Sequence, residues 1–321
     1  EKNNISEIVN SALFDLENKY NYSNVIDSLE LTIKKLKKNV LNSASILYST
    51  GNPKITFENY NDSLSSLYYI LDQYNQISNF SKDHSSQVIY FNEQYKKILS
   101  SFDITNIDPL HIDFPYYNTF FELFDESIFM INPYYNHDSM NIIISSYSNS
   151  DLFKTDTNIF LVEEILSRSL YFNSFSNKQI NICNDINHYS WSKFLSAYMI
   201  YKEHSIVDES YKLSYNLNLL HDFLKILIKY KYYNEEINKE DAILLLLNDG
   251  FVNKELSSTL FEEIIYNYND NDLEKFIAYT YIYNLFDEYC IINKRMSETE
   301  FIKKIFKYGF LPIYNYKTVL N

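Results

Sequence analysis

The chain has 321 residues, a formal net charge of −14 and only three glycines, and these numbers exclude several kinds of site. Phosphate-binding loops need glycine because backbone amides must approach the ligand where a Cβ would clash, and neither a Walker loop nor GxGxxG occurs. Binding of duplex DNA or RNA depends on clustered Lys and Arg, so the charge argues against a nucleic-acid partner. The hydrophobic content of 46% allows a large buried core, but no apolar run is long enough to span a membrane.

Aromatic residues are unusually frequent, with 32 tyrosines and 23 phenylalanines. We interpret this excess as the codon bias of an A+T-rich genome and not as a functional demand. The chain begins at Glu1 and not at Met, which favours a trimmed exported or cell-surface protein, or a domain of something longer. A cytoplasmic location and the oligomeric state are left open.

The first 103 residues are predicted to form an N-terminal helical region. From Val25 to Leu47, apolar residues recur at spacings of three and four, the stripe of an amphipathic helix. Shorter helices are predicted at 63–77 and 92–99.

Residues 104–150 have a different pattern, in which prolines interrupt short apolar runs. The runs 128–131 and 142–144 lack helical spacing. They predict strands of a small β-sheet.

The remaining residues, 151–321, are predicted to form a C-terminal helical region, with all three regions in one compact unit. Gly250 and Gly309 follow two of the helices, where a left-handed residue often ends a helix, and Ser297 and Glu300 have the spacing of a capping box. The predicted helices are 158–172, 191–204, 211–232, 239–248, 254–268, 273–290 and 297–308.

Four segments of the C-terminal region carry a resemblance to a known family. Residues 196–203, SAYMIYKE, resemble the EGWxLYxE helix of the HExxPGH-type bacterial peptidases, the domain-of-unknown-function family 885. Residues 241–243 are similar to the QAI-like helix start of that family, 277–279 to its ALxY, and 300–312 to its FHD…GxxPL ending. The resemblance covers about 160–313 and implies a mainly α, zincin-related scaffold with a small sheet beside the site helices.

The family's chemistry uses two histidines on one helix and a glutamate from the next to hold zinc, with a further glutamate as general base. Placed by spacing, HExxPGH falls on 163–169. Only the general base is retained, as Glu164, whereas Glu163 and Ser169 replace the histidines and Ser196 replaces the glutamate ligand. Serine is a poor zinc ligand, and the chain's six histidines contain no pair at i, i+3 or i, i+4. We therefore expect no zinc, no other cofactor and no catalytic residue.

A cleft without metal can still bind a ligand. The resemblance implies a surface for a peptide or protein formed by Glu164, Tyr201, Glu203, Tyr233 and Tyr279. Tyr233 stands where the family usually has a histidine. In an active relative, the phenol at the position of Tyr279 would donate a hydrogen bond to the developing oxyanion.

Two alternatives remain open. The first is an active hydrolase with Glu164 as base and an unforeseen ligand set, and the second is a helical surface or scaffold protein unrelated to peptidases. Cys183 and His188 as nucleophile and base are less favoured than a buried thiol and a loop histidine, because residues five apart have no special geometry. A Cys183–Cys290 disulfide is also left open.

Overall fold

The structure is a computed structural model, and it describes part of the chain. The described residues are 22–51, 64–70, 93, 111–113, 128–131, 141–144, 185–202, 209–266, 272–308, 311 and 315–321.

The first described helix, α1 (Tyr22–Gly51), has 30 residues and includes the amphipathic stripe predicted from the sequence. Leu29, Val40 and Ala44 on this stripe are fully buried. Residues 64–70 are also helical. The long stripe is therefore a packing surface, as its three-and-four spacing predicts.

Seven further helices are described from residue 185 onward, where the sequence predicts six. The first six correspond to these in order, the last was not predicted, and the predicted helix 158–172 lies outside the described residues. The helix α4 has the predicted bounds, whereas α2 begins at Asp185 instead of residue 191. The helix α6 continues directly into a π-helical turn, Asp287–Ile292. The helices are α2 (Asp185–Lys202), α3 (Glu209–Tyr233), α4 (Lys239–Asn248), α5 (Lys254–Tyr266), α6 (Asp272–Phe286), α7 (Glu298–Tyr308) and α8 (Tyr316–Leu320).

The helix α3 lies at the centre of the helical body. It contacts α1, α2, α4, α5 and α6. Its buried residues include Leu213, Tyr215, Leu219 and Ile228, which are spread over more than half of the helix circumference. A helix that is apolar on several sides must be enclosed by other elements, and here those elements are helices.

A second group of buried aromatic side chains joins α2 to the C-terminal helices. Trp191 packs against Tyr316 of α8, with ring centroids 4.8 Å apart. Phe194, one turn further along α2, makes edge-to-face contacts with Phe286 of α6 and Phe301 of α7. Such aromatic pairs each add about 0.5–1.5 kcal/mol beyond the area they bury.

Within the described residues, three residues that follow helical segments are left-handed although each has a Cβ, whereas Gly309 lies outside those residues. They are Glu235 after α3, Phe251 after α4 and Lys294 after the π-helical turn, with φ between 48° and 60°. Gly250 serves a different purpose from the one predicted: a Cβ there would lie 2.8 Å from the Leu246 carbonyl oxygen and 2.9 Å from a methyl group of Leu224. Gly250 is required for this close approach and not for a left-handed backbone.

Helix starts show one predicted cap and one that was missed. The hydroxyl of Ser297 accepts a hydrogen bond from the Glu300 amide at 3.2 Å, which is one half of the predicted capping box. A complete capping box joins Asn238 and Asp241 at the start of α4. The sequence does not predict this box, because the usual pattern has Ser or Thr followed by Glu or Gln.

Three short segments of extended backbone pair with one another in the middle of the chain. They are β1 (His111–Asp113), β2 (Ile128–Ile131) and β3 (Asn141–Ile144), in the order β1-β3-β2. The pairing of β1 with β3 is parallel and that of β2 with β3 is antiparallel. These strands have three or four residues each, and such short strands need packing against other elements to be stable.

The expected fold class, a helical zinc-peptidase-like scaffold with a small β-sheet, needs correction. The residues whose burial is described lie in helices and in the turns that follow them, and these residues form the core. Within the described residues, the main neighbours of α3 are the helices α1, α2, α4, α5 and α6. A sheet as part of the scaffold is therefore wrong, and a mainly α architecture fits. No helix within the described residues is long and apolar enough to cross a membrane.

Candidate functional site

The structure describes only some of the positions that the sequence singled out. Glu163, Glu164, Ser169, Glu203 and Cys183 lie outside the described residues. The remaining positions are Ser196 and Tyr201 on α2, Tyr233 on α3 and Tyr279 on α6.

Ser196 occupies the position of the family's glutamate ligand and is fully buried in α2. Its hydroxyl has no hydrogen-bond partner within the described part of the chain. A neutral hydroxyl holds metal ions poorly, and a charged carboxylate at the same place would lose its hydration without any described group to compensate it.

Tyr201, near the end of α2, is 40% exposed and is hydrogen-bonded to a buried amide. Its hydroxyl donates to Oδ1 of Asn216 at 3.1 Å, and Nδ2 of Asn216 lies 2.8 Å from the same hydroxyl oxygen. Nδ2 of Asn216 also donates to the Lys212 carbonyl oxygen at 2.6 Å. Asn216 is only 2% exposed, so these hydrogen bonds connect the exposed Tyr201 to a buried side chain of α3.

The network ends in an ion pair at the start of α3. Lys212 lies 2.9 Å from a carboxylate oxygen of Glu209, and Glu209 also accepts a hydrogen bond from the hydroxyl of Ser43 on α1. Burial raises the pKa of Tyr201, with the hydrogen bond to Asn216 and the charge of Lys212 acting in the opposite direction. Tyr201 is therefore a neutral phenol at physiological pH.

Three phenol groups form what we call the tyrosine cluster: Tyr215 of α3, and Tyr279 and Tyr283 of α6. The rings of Tyr279 and Tyr283 have centroids 4.6 Å apart. The hydroxyl of Tyr279 interacts with those of Tyr283 and Tyr215, and the Tyr215 hydroxyl donates to the Lys193 carbonyl oxygen at 2.8 Å. Burial raises the pKa of Tyr279 to about 12 and raises that of Tyr283 as well.

The number of available protons limits how these hydroxyls are arranged. Each phenol has one proton, and that of Tyr215 is already donated to Lys193. Only the protons of Tyr279 and Tyr283 remain for the three contacts within the cluster. At most two of these contacts are therefore hydrogen bonds at any moment. The cluster's oxygens have lone pairs left over to accept hydrogen bonds, but no proton is left over to donate one.

The structure brings two of the predicted cleft residues into the same neighbourhood and leaves a third at a distance. Tyr201 is close enough to Tyr279 to influence its pKa electrostatically. Tyr233 instead lies 17 residues after Asn216 on α3, which corresponds to about 25 Å along the helix. Its hydroxyl donates to the Ile265 carbonyl oxygen of α5 at 2.8 Å.

Metal-binding side chains do not gather in the described residues. They contain no group of three or more His, Cys, Asp or Glu side chains arranged to hold a metal ion. Cys290 is a free thiol, and Cys183, the other cysteine of the disulfide that the sequence left open, lies outside the described residues. Burial and the neighbouring carboxylates of Glu298 and Asp287 raise the pKa of Cys290 to about 11, which makes it a weak nucleophile.

Comparison with known proteins gives fold neighbours but no family. No family model matches the chain, and no curated protein matches it. One similar solved structure is a candidate lipoprotein of unknown function from Shewanella oneidensis, with a TM-score of 0.70, 14% identity, and coverage of 93% of this chain and 56% of that one. Another is a candidate lipoprotein from Colwellia psychrerythraea, with a TM-score of 0.70, 10% identity, and coverage of 98% and 55%.

These matches establish a shared fold. The chain spans slightly more than half the length of each neighbour, and the identities are too low to carry more than the architecture. The resemblance to the HExxPGH-type peptidases therefore still depends on the sequence motifs alone.

Three residues of this neighbourhood were not predicted from the sequence: Asn216, Tyr215 and Tyr283. The pair Tyr279 and Tyr283 carries a usable signal, because residues four apart lie on the same face of a helix. Asn216 carries none, since its partner Tyr201 is on a different helix.

Proposed function

We propose that this chain is a catalytically inactive, metallopeptidase-like protein that keeps a cleft for binding a peptide or a protein segment. The observation that carries this proposal is Ser196. At the position where the resembling family has a glutamate ligand, this chain has a fully buried neutral hydroxyl. Together with Glu163 and Ser169 in place of the two histidines, this replaces the complete ligand set.

The internal contacts of the tyrosine cluster argue against an oxyanion-stabilising role for Tyr279. An oxyanion-stabilising phenol must direct its proton toward the reacting carbonyl. Tyr279 instead interacts with Tyr283 and Tyr215 inside the protein. In this role it fixes the packing of α6 against α3.

Tyr201 is the described residue best suited to contact a ligand. It combines a 40% exposed ring with a hydroxyl held in place by buried Asn216. A rigid aromatic side chain with a polar tip gives large contact area at a low cost in conformational entropy. Such residues dominate many peptide- and protein-binding surfaces.

The absence of peptidase activity can be tested directly on purified protein. We expect elemental analysis to find no stoichiometric zinc, and a peptide library to remain intact with and without added zinc. Stoichiometric zinc together with cleavage that a chelator abolishes would overturn the proposal. If Glu164→Gln also abolished such cleavage, the protein would be an active hydrolase with Glu164 as base.

Binding needs its own experiment. A peptide array identifies ligands, and their affinities are then compared for the unmodified chain and Tyr201→Phe by calorimetry. The oxygen of the Tyr201 hydroxyl can accept a further hydrogen bond from a ligand, and the loss of such a bond costs about 0.5–1.5 kcal/mol, so we expect a two- to tenfold weaker affinity. Tyr266→Phe is the matched control, because Tyr266 is 74% exposed at the end of α5. No binding to any peptide would favour a scaffold protein without peptidase ancestry.

We also propose an exported or cell-surface location. It is supported by the description of both fold neighbours as candidate lipoproteins. Fractionation of the native cell with an antibody against the chain tests it, and recovery in the cytoplasmic fraction alone would contradict it.

A further inference from the structure

The side chain of Asn216 on α3 fixes the direction in which the hydroxyl proton of Tyr201 points. The Lys212 carbonyl oxygen can only accept, so the Asn216 atom 2.6 Å from it is Nδ2, and Oδ1 lies beside Tyr201. The Tyr201 hydroxyl then donates its single proton to Oδ1 at 3.1 Å and accepts from Nδ2 at 2.8 Å. Because Asn216 is buried, the loss of these contacts would leave a desolvated amide without partners. Toward a ligand, the Tyr201 hydroxyl therefore offers a lone pair and no proton.

The tyrosine cluster next to Tyr201 also accepts hydrogen bonds without donating them. Tyr201 lies close enough to Tyr279 and Tyr283 to act electrostatically on both. The protons of the cluster are used between its own hydroxyls and on the Lys193 carbonyl oxygen. The side chains of Tyr279 and Tyr283 are half-buried and not fully enclosed. We call Tyr201, Tyr279 and Tyr283 the phenol site, since together they present aromatic rings and acceptor oxygens.

Two lysines whose charges act on the phenol site are each close to a carboxylate. Lys212 lies 2.9 Å from Glu209 at the start of α3. Lys193, whose charge acts on Tyr279, lies 3.6 Å from a carboxylate oxygen of Asp222. Pairing with a carboxylate offsets the repulsion that each lysine would exert on a cationic ligand. The chain as a whole has a formal charge of −14, which attracts cationic partners and repels anionic ones.

We propose that the phenol site selects basic peptide segments, with a Lys or Arg side chain donating to the Tyr201 oxygen beside the phenol rings. This inference rests on the proposed peptide-binding function and adds the chemical class of the ligand. Lys and Arg side chains donate several hydrogen bonds and accept none, which matches a site that accepts and does not donate. Cations are also attracted to the faces of aromatic rings. A carboxylate has the opposite requirement, because it needs donors that the phenol site does not supply.

Matched peptides test this preference on the unmodified chain. Calorimetry compares peptides of about 12 residues with blocked ends that differ only at three central positions, which are all Lys, all acetyl-lysine or all Glu. We expect the Lys peptide to bind at least about tenfold more tightly than the Glu peptide. The acetyl-lysine peptide keeps an N–H donor but no charge, so its affinity should lie between the other two.

The outcomes distinguish this inference from the proposed function. Equal affinities for the three probes would overturn the inference and leave peptide binding intact. Binding of ligands from the peptide array but of none of these probes would have the same meaning. Failure of both the array and the probes would overturn the inference together with the proposed function.

Variants separate the phenol site from the general attraction of an acidic chain for a basic peptide. Asn216→Leu frees the Tyr201 proton to donate to a ligand, so we expect the ratio of Lys to Glu affinity to fall by about two- to tenfold. Tyr201→Phe removes the acceptor and should weaken binding of the Lys peptide by a similar factor, with little change for the Glu peptide. Tyr266→Phe, at an exposed position of α5, should leave the ratio unchanged.

A purely structural role of Asn216 predicts a different result. In that case Asn216→Leu would weaken the binding of both peptides together, and the ratio of their affinities would stay constant. This result, with the folded state verified by circular dichroism, would overturn the inference. If Asn216→Leu does not fold, Tyr201→Phe decides alone, and an unchanged ratio in that variant would overturn the inference.

Discussion

In the part of the chain that the structure describes, three residues with a Cβ adopt the left-handed conformation that glycine adopts most easily. Glu235, Phe251 and Lys294 each follow the end of a helix. In a chain with three glycines, helix termination must depend on side chains that tolerate this conformation at a cost. Such sites are reservoirs of strain that a single substitution can release.

Replacing Lys294 by glycine tests this strain. The left-handed backbone costs lysine about 1–2 kcal/mol, which glycine avoids. The greater conformational freedom of glycine in the unfolded chain offsets about 0.5–1 kcal/mol of this gain in stability. We expect Lys294→Gly to raise the free energy of unfolding in urea by about 0.5–1 kcal/mol. Lys294→Ala keeps the Cβ and should leave it nearly unchanged. Equal effects of the two substitutions would assign the change to the lost charge instead.

Ser196 gives a second prediction at the scale of one residue. Its buried hydroxyl has no described partner, so Ser196→Ala removes a desolvated polar group without opening a large cavity. We expect the free energy of unfolding to stay the same or to rise by up to about 1 kcal/mol. Ser196→Glu, which restores the residue of the resembling family, should lower it by several kcal/mol because a carboxylate is buried. Tolerance of glutamate at this position would indicate a nearby cavity or cation.

At the scale of elements, α1 shows how far periodicity reaches. Its apolar spacing predicts both the helix and the buried face, because a side chain every three or four residues returns to the same side. The same rule missed the π-helical turn after α6, since the apolar pattern continues through Asp287–Ile292 without interruption. Periodicity reports which side is buried, but it does not report the hydrogen-bond register of the backbone.

Two leucines of α1 form a matched pair for testing the buried face. Leu29 is fully buried and Leu31 is 70% exposed. We expect Leu29→Ala to lower the free energy of unfolding by about 2–5 kcal/mol. Leu31→Ala should change it by less than about 0.5 kcal/mol. Similar losses at both positions, measured by urea titration, would place α1 differently against α3.

At the scale of the whole molecule, the sequence predicted the helical architecture but not its centre. Helix order from residue 185 onward follows from local patterns, whereas the enclosure of α3 depends on contacts between helices that are far apart in the chain. The candidate site likewise has residues that the sequence predicts and residues that only the folded structure brings together. Motif order located Tyr201 and Tyr279, but only the packing of three helices brings Asn216 and Tyr215 to them.

The tyrosine cluster predicts how the folded state responds to alkali. An ordinary tyrosine ionises at about 10, whereas burial raises the pKa of Tyr279 to about 12. Between these values the unfolded chain has lost a proton that the folded chain keeps, so the stability that is fully present below pH 10 falls as the pH rises. We expect circular dichroism to show alkaline unfolding that begins above pH 10. Tyr279→Phe should shift its midpoint upward, and the exposed control Tyr266→Phe should not.

The contact between Trp191 and Tyr316 makes the protein its own optical probe. Trp191 is the only tryptophan in a chain that has 32 tyrosines, and its side chain is fully buried. Excitation energy absorbed by nearby tyrosines is transferred to this single indole, and the wavelength of its emission maximum depends on its contact with water. Undocking of α8 would remove the ring 4.8 Å away and admit solvent. Red-shifted fluorescence would therefore report the release of this terminal helix before any other part of the fold needs to change.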